Sequence, residues 1–360
     1  MELMVWLWLV AGLLLLLGGA DVLVRGASGL ALRVGISPLV VGLTVVAFGT
    51  SSPELAVSIS SGLAGQADIA LGNVVGSNIF NVLVVLGIAA LIAPLVVQQQ
   101  LIRFDVPLVV GLSVLILVMA KDGGIGPLDG LLLVSGLIGY TYFVISQSRR
   151  ETAAIKAEYD TEFGHVDSGW LSTTPAQLAF IVVGLGLLML GSTWLVDSAV
   201  SIARALNVSD AVIGLTIVAA GTSFPELATS VVAAMRGERD IAVGNVVGSS
   251  LFNLLGILGI AALVTPGGLS VAPSILNFDI PVMIAVAFAC LPVFASAQGI
   301  TRWTGIVFLS YYVLYVTYLI LAATQYDALT SMSSLMLGFV LPLTGVTLLV
   351  IWSRNRAQPL

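Results

Sequence analysis

The sequence predicts an all-α polytopic membrane protein: two inverted five-helix repeats forming a ten-helix core, plus one extra C-terminal transmembrane helix. Three observations predict it. Of 360 residues, 58% are hydrophobic and only 9% charged, against about 25% charged in soluble domains, and mean hydropathy is +1.10. GLTVVAFGTSSPELAVS at 42–58 returns as GLTIVAAGTSFPELATS at 214–230, with thirteen of seventeen positions identical, and DIALGNVVGSNIFN at 68–81 returns as DIAVGNVVGSSLFN at 240–253, with eleven of fourteen identical. Finally, the longest hydrophilic break, 148–173, separates five apolar stretches from five more, with an eleventh appended. Five is odd, so the second copy enters the bilayer upside down relative to the first.

A bilayer core needs about 20 apolar residues per helix. Such stretches fall at 3–24, 38–62, 68–94, 104–120, 126–147, 174–203, 210–235, 240–264, 277–297, 301–323 and 334–352. The first has no basic segment ahead of it, since its only early charge is Glu2, and reads as a span, not a signal peptide. The organisation is therefore a first repeat at 1–147, a linker at 148–173, a second repeat at 174–323, and span 11 with a short tail at 324–360. With the N-terminus outside, eleven of the thirteen basic residues lie on the cytoplasmic side, and only Lys121 and Arg204 lie outside. That asymmetry puts the linker and the C-terminus in the cytoplasm.

Each copy carries a glutamate, Glu54 or Glu226, where lipid should surround it. An ionised residue there costs about 2.5–3.5 kcal/mol on the mildest insertion scale, so it marks function. Ala47, Thr50, Ser51, Glu54 and Ser58 share one helical face, and Ala219, Thr222, Ser223, Glu226 and Ser230 repeat it. Pro53 and Pro225 break their helices, with Gly49 and Gly221 loosening the same turns and freeing carbonyls beside the glutamates. In the second motif Asn73, Ser77 and Asn81, and again Asn245, Ser249 and Asn253, are spaced i, i+4, i+8, with Gly72, Gly76, Gly244 and Gly248 allowing close packing. The donors are all oxygen, which suits hard cations such as Na⁺, Ca²⁺ and Mg²⁺. Hydroxyls and amides in membrane helices often only join helices, but duplication of Glu and Pro together points to a cation site between the repeats.

GTSSPE and GTSFPE, each followed by a GNVVGS segment ending in FN, resemble the two α-repeats of the sodium/calcium exchanger family, prokaryotic antiporter type, over spans 1–10. The resemblance implies that helices two, three, seven and eight surround the ions while the long first and sixth helices slide. It implies Glu54 and Glu226 as central Ca²⁺ and Na⁺ ligands, and Na⁺-coordinating oxygens from Thr50, Ser51, Ser77, Thr222, Ser223 and Ser249. The carbonyls of Ala47 and Ala219 complete the outer sodium sites, and Asn81 and Asn253 flank the middle. Some relatives, including K⁺-dependent ones, have aspartate at the position of Asn253, so asparagine in both repeats argues against K⁺ co-transport. Span 11 is additional to the family core and is expected to pack peripherally.

The expected function is antiport of Na⁺ against Ca²⁺. A proton-coupled exchanger is the nearest alternative, but such relatives carry GNxxE where this chain has GNVVG twice; a cation channel fits paired inverted repeats less well. No catalytic residue and no cofactor is expected, and the partners are Ca²⁺, Na⁺ and the lipid bilayer, in a prokaryotic inner membrane. The acidic balance gives no sign of nucleic-acid binding, no obligate protein partner is evident, and the single Cys290 excludes an intrachain disulfide. The linker acids and His165 read as solvated. Asp68, Asp240, Asp105 and Asp279 read as N-terminal caps, Asp21 and Arg25 as an i, i+4 pair, and Asp197 as a helix-packing residue.

Overall fold

The structure, a computed structural model, describes residues 3–162, 173–206, 208, 213–296, 299–323 and 345. The expected span 11, the C-terminal tail and His165 lie outside the described residues. Among the described residues ten helical segments follow one another. They are α1 (Leu3–Val34), α2 in two halves, α2a (Pro38–Thr50) and α2b (Ser52–Leu63), α3 (Ala67–Ile92), α4 (Leu101–Asp122) and α5 (Pro127–Glu162). The second set is α6 (Thr174–Ala205), α7 in two halves, α8 (Arg239–Val264), α9 (Ile275–Phe294) and α10 (Arg302–Ala323). The halves of α7 are α7a (Gly214–Val218 with Ala219–Gly221) and α7b (Phe224–Met235). α5 runs on past the apolar stretch into the expected linker, because RRETAAIKAE is rich in good helix formers.

Two short backbone pairings fix how the chain crosses. Leu95, between α3 and α4, pairs with Ile300, between α9 and α10. At the far end of α4, β1 (Gly124–Ile125) pairs antiparallel with β2 (Leu269–Ser270), which lies between α8 and α9. The connections before α4 and after α9 thus share one face, and an even number of segments must cross between them. α4, α5, α6, α8 and α9 are each long and apolar enough to span, so α7 must cross as well, although its pieces are short. The same pairings invert the repeats: the α3–α4 connection sits on one face and its equivalent, α8–α9, on the other. Arg103 and Arg302 adjoin the first face and Lys121 the second, so the first is called the basic face below.

α3 and α8 are the most buried spans and form the centre. Each repeat carries three π-helical segments at matching places: Gly42–Val46 and Gly214–Val218, Asn81–Leu86 and Phe252–Ile257, Leu101–Asp105 and Ile275–Asp279. A π turn inserts a residue and re-aims the side chains after it, and such turns are frequent at functional sites.

α1 and α6 lie antiparallel along a seam of glycines. A Cβ on Gly12 would meet the Leu195 amide at 2.8 Å, one on Gly19 the Gly184 carbonyl at 2.9 Å, and one on Gly26 the Gln177 carbonyl at 2.9 Å. Gly184 and Gly191 return the contact to the α1 backbone at 2.7 Å. The seven-residue spacing keeps these glycines on one stripe, so the two 32-residue helices touch backbone to backbone there, and Trp8 packs edge-on against Trp194. Gly19→Val should therefore force the seam apart and lower stability by about 1–3 kcal/mol. Gly18→Val, at a position with nothing within 4 Å among the described residues, should be near neutral. Thermal unfolding in detergent checks the pair.

Candidate cation-binding site

The helix breaks come where the proline-glycine reading places them. α2a and α2b meet at 46°. Ser51 at the joint has φ −82°, ψ 10°, and Ser223 in the second copy has φ −91°, ψ 7°, both in the sparsely populated bridge region. Prolines occupy the first turns of α2b and α7b, where a missing N–H costs nothing. Glu54 and Glu226 sit in those same first turns, facing the positive ends of the helix dipoles. The carbonyl freed at Gly221 accepts a hydrogen bond from Ser192 Oγ of α6 at 2.7 Å. The corresponding position on α1 is Ala20, which has no hydroxyl.

The two glutamates meet across the repeat interface, and each is held by the other repeat. Ser51 Oγ donates to Glu226 Oε1 at 2.7 Å, and Ser223 Oγ donates to Glu54 Oε1 at 2.8 Å. Ser223 Oγ also lies 3.2 Å from Ser77 Oγ. Both carboxylates are fully buried. Their second oxygens, Oε2 of Glu54 and of Glu226, have no hydrogen-bond partner among the described residues, and neither do Ser249 Oγ or the amide oxygens of Asn81 and Asn253. A buried polar oxygen left unpaired costs roughly 1–3 kcal/mol, more when charged. Five such oxygens on the lines of the two motifs, two of them carboxylate, form an acceptor set suited to a hard cation. Among the described residues no group of three or more His, Cys, Asp or Glu side chains gathers to hold a metal, so the acceptors are two carboxylates supplemented by neutral oxygens.

Thr50 Oγ1 reaches Asn245 Oδ1 at 3.2 Å, and Thr222 Oγ1 reaches Asn73 Oδ1 at 3.4 Å, again across the repeats. The Ala47 carbonyl, expected to complete an outer sodium site, accepts from the Ser51 amide at 3.0 Å and lies 3.3 Å from Thr50 Oγ1. One turn of helix persists up to the break, so a cation at this oxygen would compete with the threonine. Ala219 begins the last turn of α7a, and its side chain lies outside the described set. Asn73 and Asn245 belong to the site although the motif reading left them out of the ligand set. Their signal was their place on the same i, i+4, i+8 face as Ser77 and Ser249.

Several charges differ from expectation. Asp105 does not cap its helix: it accepts from Tyr140 OH at 3.1 Å and Gln100 Nε2 at 3.2 Å. Asp279 likewise accepts from Tyr315 OH at 2.9 Å. The π turns that end at these aspartates point them at the neighbouring helix instead of at their own amides. Asp240 takes Gln98 Nε2 at 2.6 Å, joining the two repeats at the basic face. Asp21 pairs with Arg25 at 3.0 Å as expected, and also with Arg236. Asp197 is exposed on α6 and does not pack between helices.

With this geometry in place, comparison with known proteins is decisive. The model of the sodium/calcium exchanger protein family matches residues 4–146 and 176–321. The chain belongs to the sodium/calcium exchanger family. The family is one of membrane transporters that exchange cations with Ca²⁺. The putative antiporter CaxA of Alkalimonas amylolytica is 37% identical over 287 residues, covering 79% of this chain and 88% of that protein. The sodium/calcium exchanger MaX1 of Methanosarcina acetivorans is 33% identical over 344 residues, covering 87% and 98%. A solved structure of the sodium-calcium exchanger NCX_Mj soaked with Na⁺ and Ca²⁺ superposes with a TM-score of 0.74 at 30% identity, covering 88% of this chain and 99% of that one.

Glu54→Gln or Glu226→Gln keeps the side-chain shape and the serine contact while removing one formal charge. Each is expected to abolish Ca²⁺ transport without unfolding the protein. ⁴⁵Ca uptake into proteoliposomes, beside gel filtration of the same preparation, reads both; uptake at the wild-type rate in either variant would place the site elsewhere.

Proposed function

We propose that the chain is a Na⁺/Ca²⁺ antiporter that works by alternating access, with Glu54 and Glu226 as the central ligands. The observation that carries this reading is the pair of buried carboxylate oxygens left without partners among neutral oxygens. Ser51, Ser223, Ser77, Ser249, Thr50 and Thr222 would supply Na⁺ ligands, with the carbonyls of Ala47 and Ala219 completing the outer sodium sites and the amides of Asn81 and Asn253 flanking the middle. The printed names of MaX1 and NCX_Mj support the choice of ions.

Two ionised glutamates give the site a charge of −2. One Ca²⁺ neutralises it; three Na⁺ leave it one positive charge in excess. Each cycle would then move one net charge, worth about 2.3 kcal/mol at 100 mV, enough to shift the Ca²⁺ gradient more than tenfold. Asparagine at both 81 and 253 leaves no further carboxylate for K⁺. Electrogenic, K⁺-independent exchange is expected, measured as the equilibrium Ca²⁺ gradient in proteoliposomes clamped by a proton gradient with an uncoupler. A gradient indifferent to voltage would mean electroneutral two-for-one exchange, and Ca²⁺ uptake driven by protons without Na⁺ would favour the proton-coupled alternative.

The basic face would be cytoplasmic, in a prokaryotic inner membrane, by the excess of arginine on that side. The linker then lies inside. A cysteine replacing Asp160, in a Cys290→Ser background, is expected to resist an impermeant maleimide added to intact cells. Rapid labelling from outside would reverse the orientation.

A further inference from the structure

The asparagines of the two GN pairs tie together half-helices that end on the same membrane face. Asn73 of α3 donates from Nδ2 to the Glu54 carbonyl at 3.1 Å and to Ser58 Oγ at 2.9 Å, both on α2b. Its Oδ1 accepts from Thr222, at the end of α7a. Ser58 gives its own hydrogen to the Ala70 carbonyl at 3.3 Å, so the orientation of the Asn73 amide is fixed by its partners. α2b and α7a are the halves that reach the face opposite the basic one. Asn245 of α8 repeats the pattern on the other side. It donates to the Glu226 carbonyl at 3.2 Å and to Ser230 Oγ at 2.9 Å on α7b, and accepts from Thr50 at the end of α2a. α7b and α2a are the halves that reach the basic face.

We propose that Asn73 and Asn245 are positioning residues, each the strut that closes one of the two access paths, and that the two struts open in alternation. The inference rests on the exchange reading above. Both struts are made in this structure, but they are covered to different degrees. Asn245 and Thr50 are buried, whereas Asn73 and Thr222 are half-buried. A Cβ on Gly244 would meet the Leu39 carbonyl of α2a at 2.8 Å, and one on Gly248 the Ala47 Cβ at 2.8 Å. The expected close packing is seen at these two glycines, which are buried where α2a is seated on α8; the equivalent glycines of α3, Gly72 and Gly76, are half-buried. The strut on the basic face is fully covered, and the one on the opposite face is partly exposed.

The strut also connects closure to ion binding. Asn73 Nδ2 is fully engaged within its own repeat, which leaves Oδ1 as the acceptor facing Thr222. A threonine that gives its hydrogen to that oxygen keeps its lone pairs for a cation. A cation drawing on Thr222 therefore favours the closed strut, and the same holds for Thr50 with Asn245.

The test measures Ca²⁺ half-saturation at each face in right-side-out and inverted vesicles. Loss of one strut removes hydrogen bonds that hold one path shut, and is expected to move the equilibrium between the two open states about fivefold. Asn73→Ala should lower the ratio of half-saturation at the face opposite the basic one to that at the basic face by about fivefold. Asn245→Ala should raise it by a similar factor, and the double variant should return it to the wild-type value. Ser58→Ala and Ser230→Ala should move it in the same two directions by less, and serve if an asparagine variant does not fold. A shift of the same sign in both variants, or a lower maximal rate at an unchanged ratio, overturns the proposal. Impermeant-maleimide labelling of Ala220→Cys on α7a, in a Cys290→Ser background, reads the same equilibrium without transport. Asn245→Ala should slow labelling from the face opposite the basic one, and unchanged labelling counts against the strut. If labelling shifts while the wild type shows no Na⁺/Ca²⁺ exchange, the strut stands and the ion assignment fails.

Discussion

Two carboxylates share a fully buried site in the middle of a membrane protein, and each is bonded to a serine of the opposite repeat. Burying one isolated ionised carboxylate in a medium of low dielectric costs far more than folding can supply. Hydroxyl donors offset only part of that cost, and the remaining oxygens of both glutamates have no hydrogen-bond partner among the described residues. The site would therefore be stable in its ionised form only with cationic charge inside it. The broken helices, the inverted repeats and the cross-repeat hydrogen bonds bring two helix N-termini and two carboxylates to one place, where on the proposed function a mobile cation would complete the balance.

The rest of the molecule divides into parts that interlock and a part that does not. α3 and α8 are the most buried spans and are hydrogen-bonded to the broken helices at several points. α4 and α5 are joined by Asp105 and Tyr140, α9 and α10 by Asp279 and Tyr315, and the loops around them by the two backbone pairings. Against this framework α1 and α6 meet along glycines, with backbone facing backbone and Trp8 packed on Trp194. A stripe of glycines presents less relief to small translations than knobs seated in holes, which resist each register change.

The repeat, the breaks at Pro53 and Pro225, the odd number of spans and the two glutamates were legible because each leaves a local mark in the chain: identity at a fixed offset, a residue that cannot donate, a charge in an apolar run. Asp105 and Asp279 were misread as caps for the opposite reason. Their partners, Tyr140 and Tyr315, are 35 and 36 residues away, and the π turns that aim them leave no composition signal. The glycines at 12, 19 and 26 do show a seven-residue period, but small residues on a lipid-length helix do not say which helix they face. Asn73 and Asn245 were seen on the right face. Their role depends on Thr222 and Thr50 of the other repeat, and only the inverted packing supplies those contacts.

The near-identity of the two repeats sharpens the meaning of their structural difference. Thirteen of seventeen positions in one motif and eleven of fourteen in the other are the same, yet Gly244 and Gly248 are buried against α2a while Gly72 and Gly76 are half-buried. Local sequence cannot account for that, since the glycines and their asparagine neighbours are equivalent. Two arrangements of one set of contacts remain: strut closed on the basic face and loose on the other, or the reverse. Because both arrangements use the same kinds of hydrogen bonds, their free energies must lie close together. A ligand needs only a modest differential affinity to move a balanced pair of states. On the strut proposal the duplication would make the closed form of one path energetically comparable to the closed form of the other, so that ion binding would decide which face the site meets.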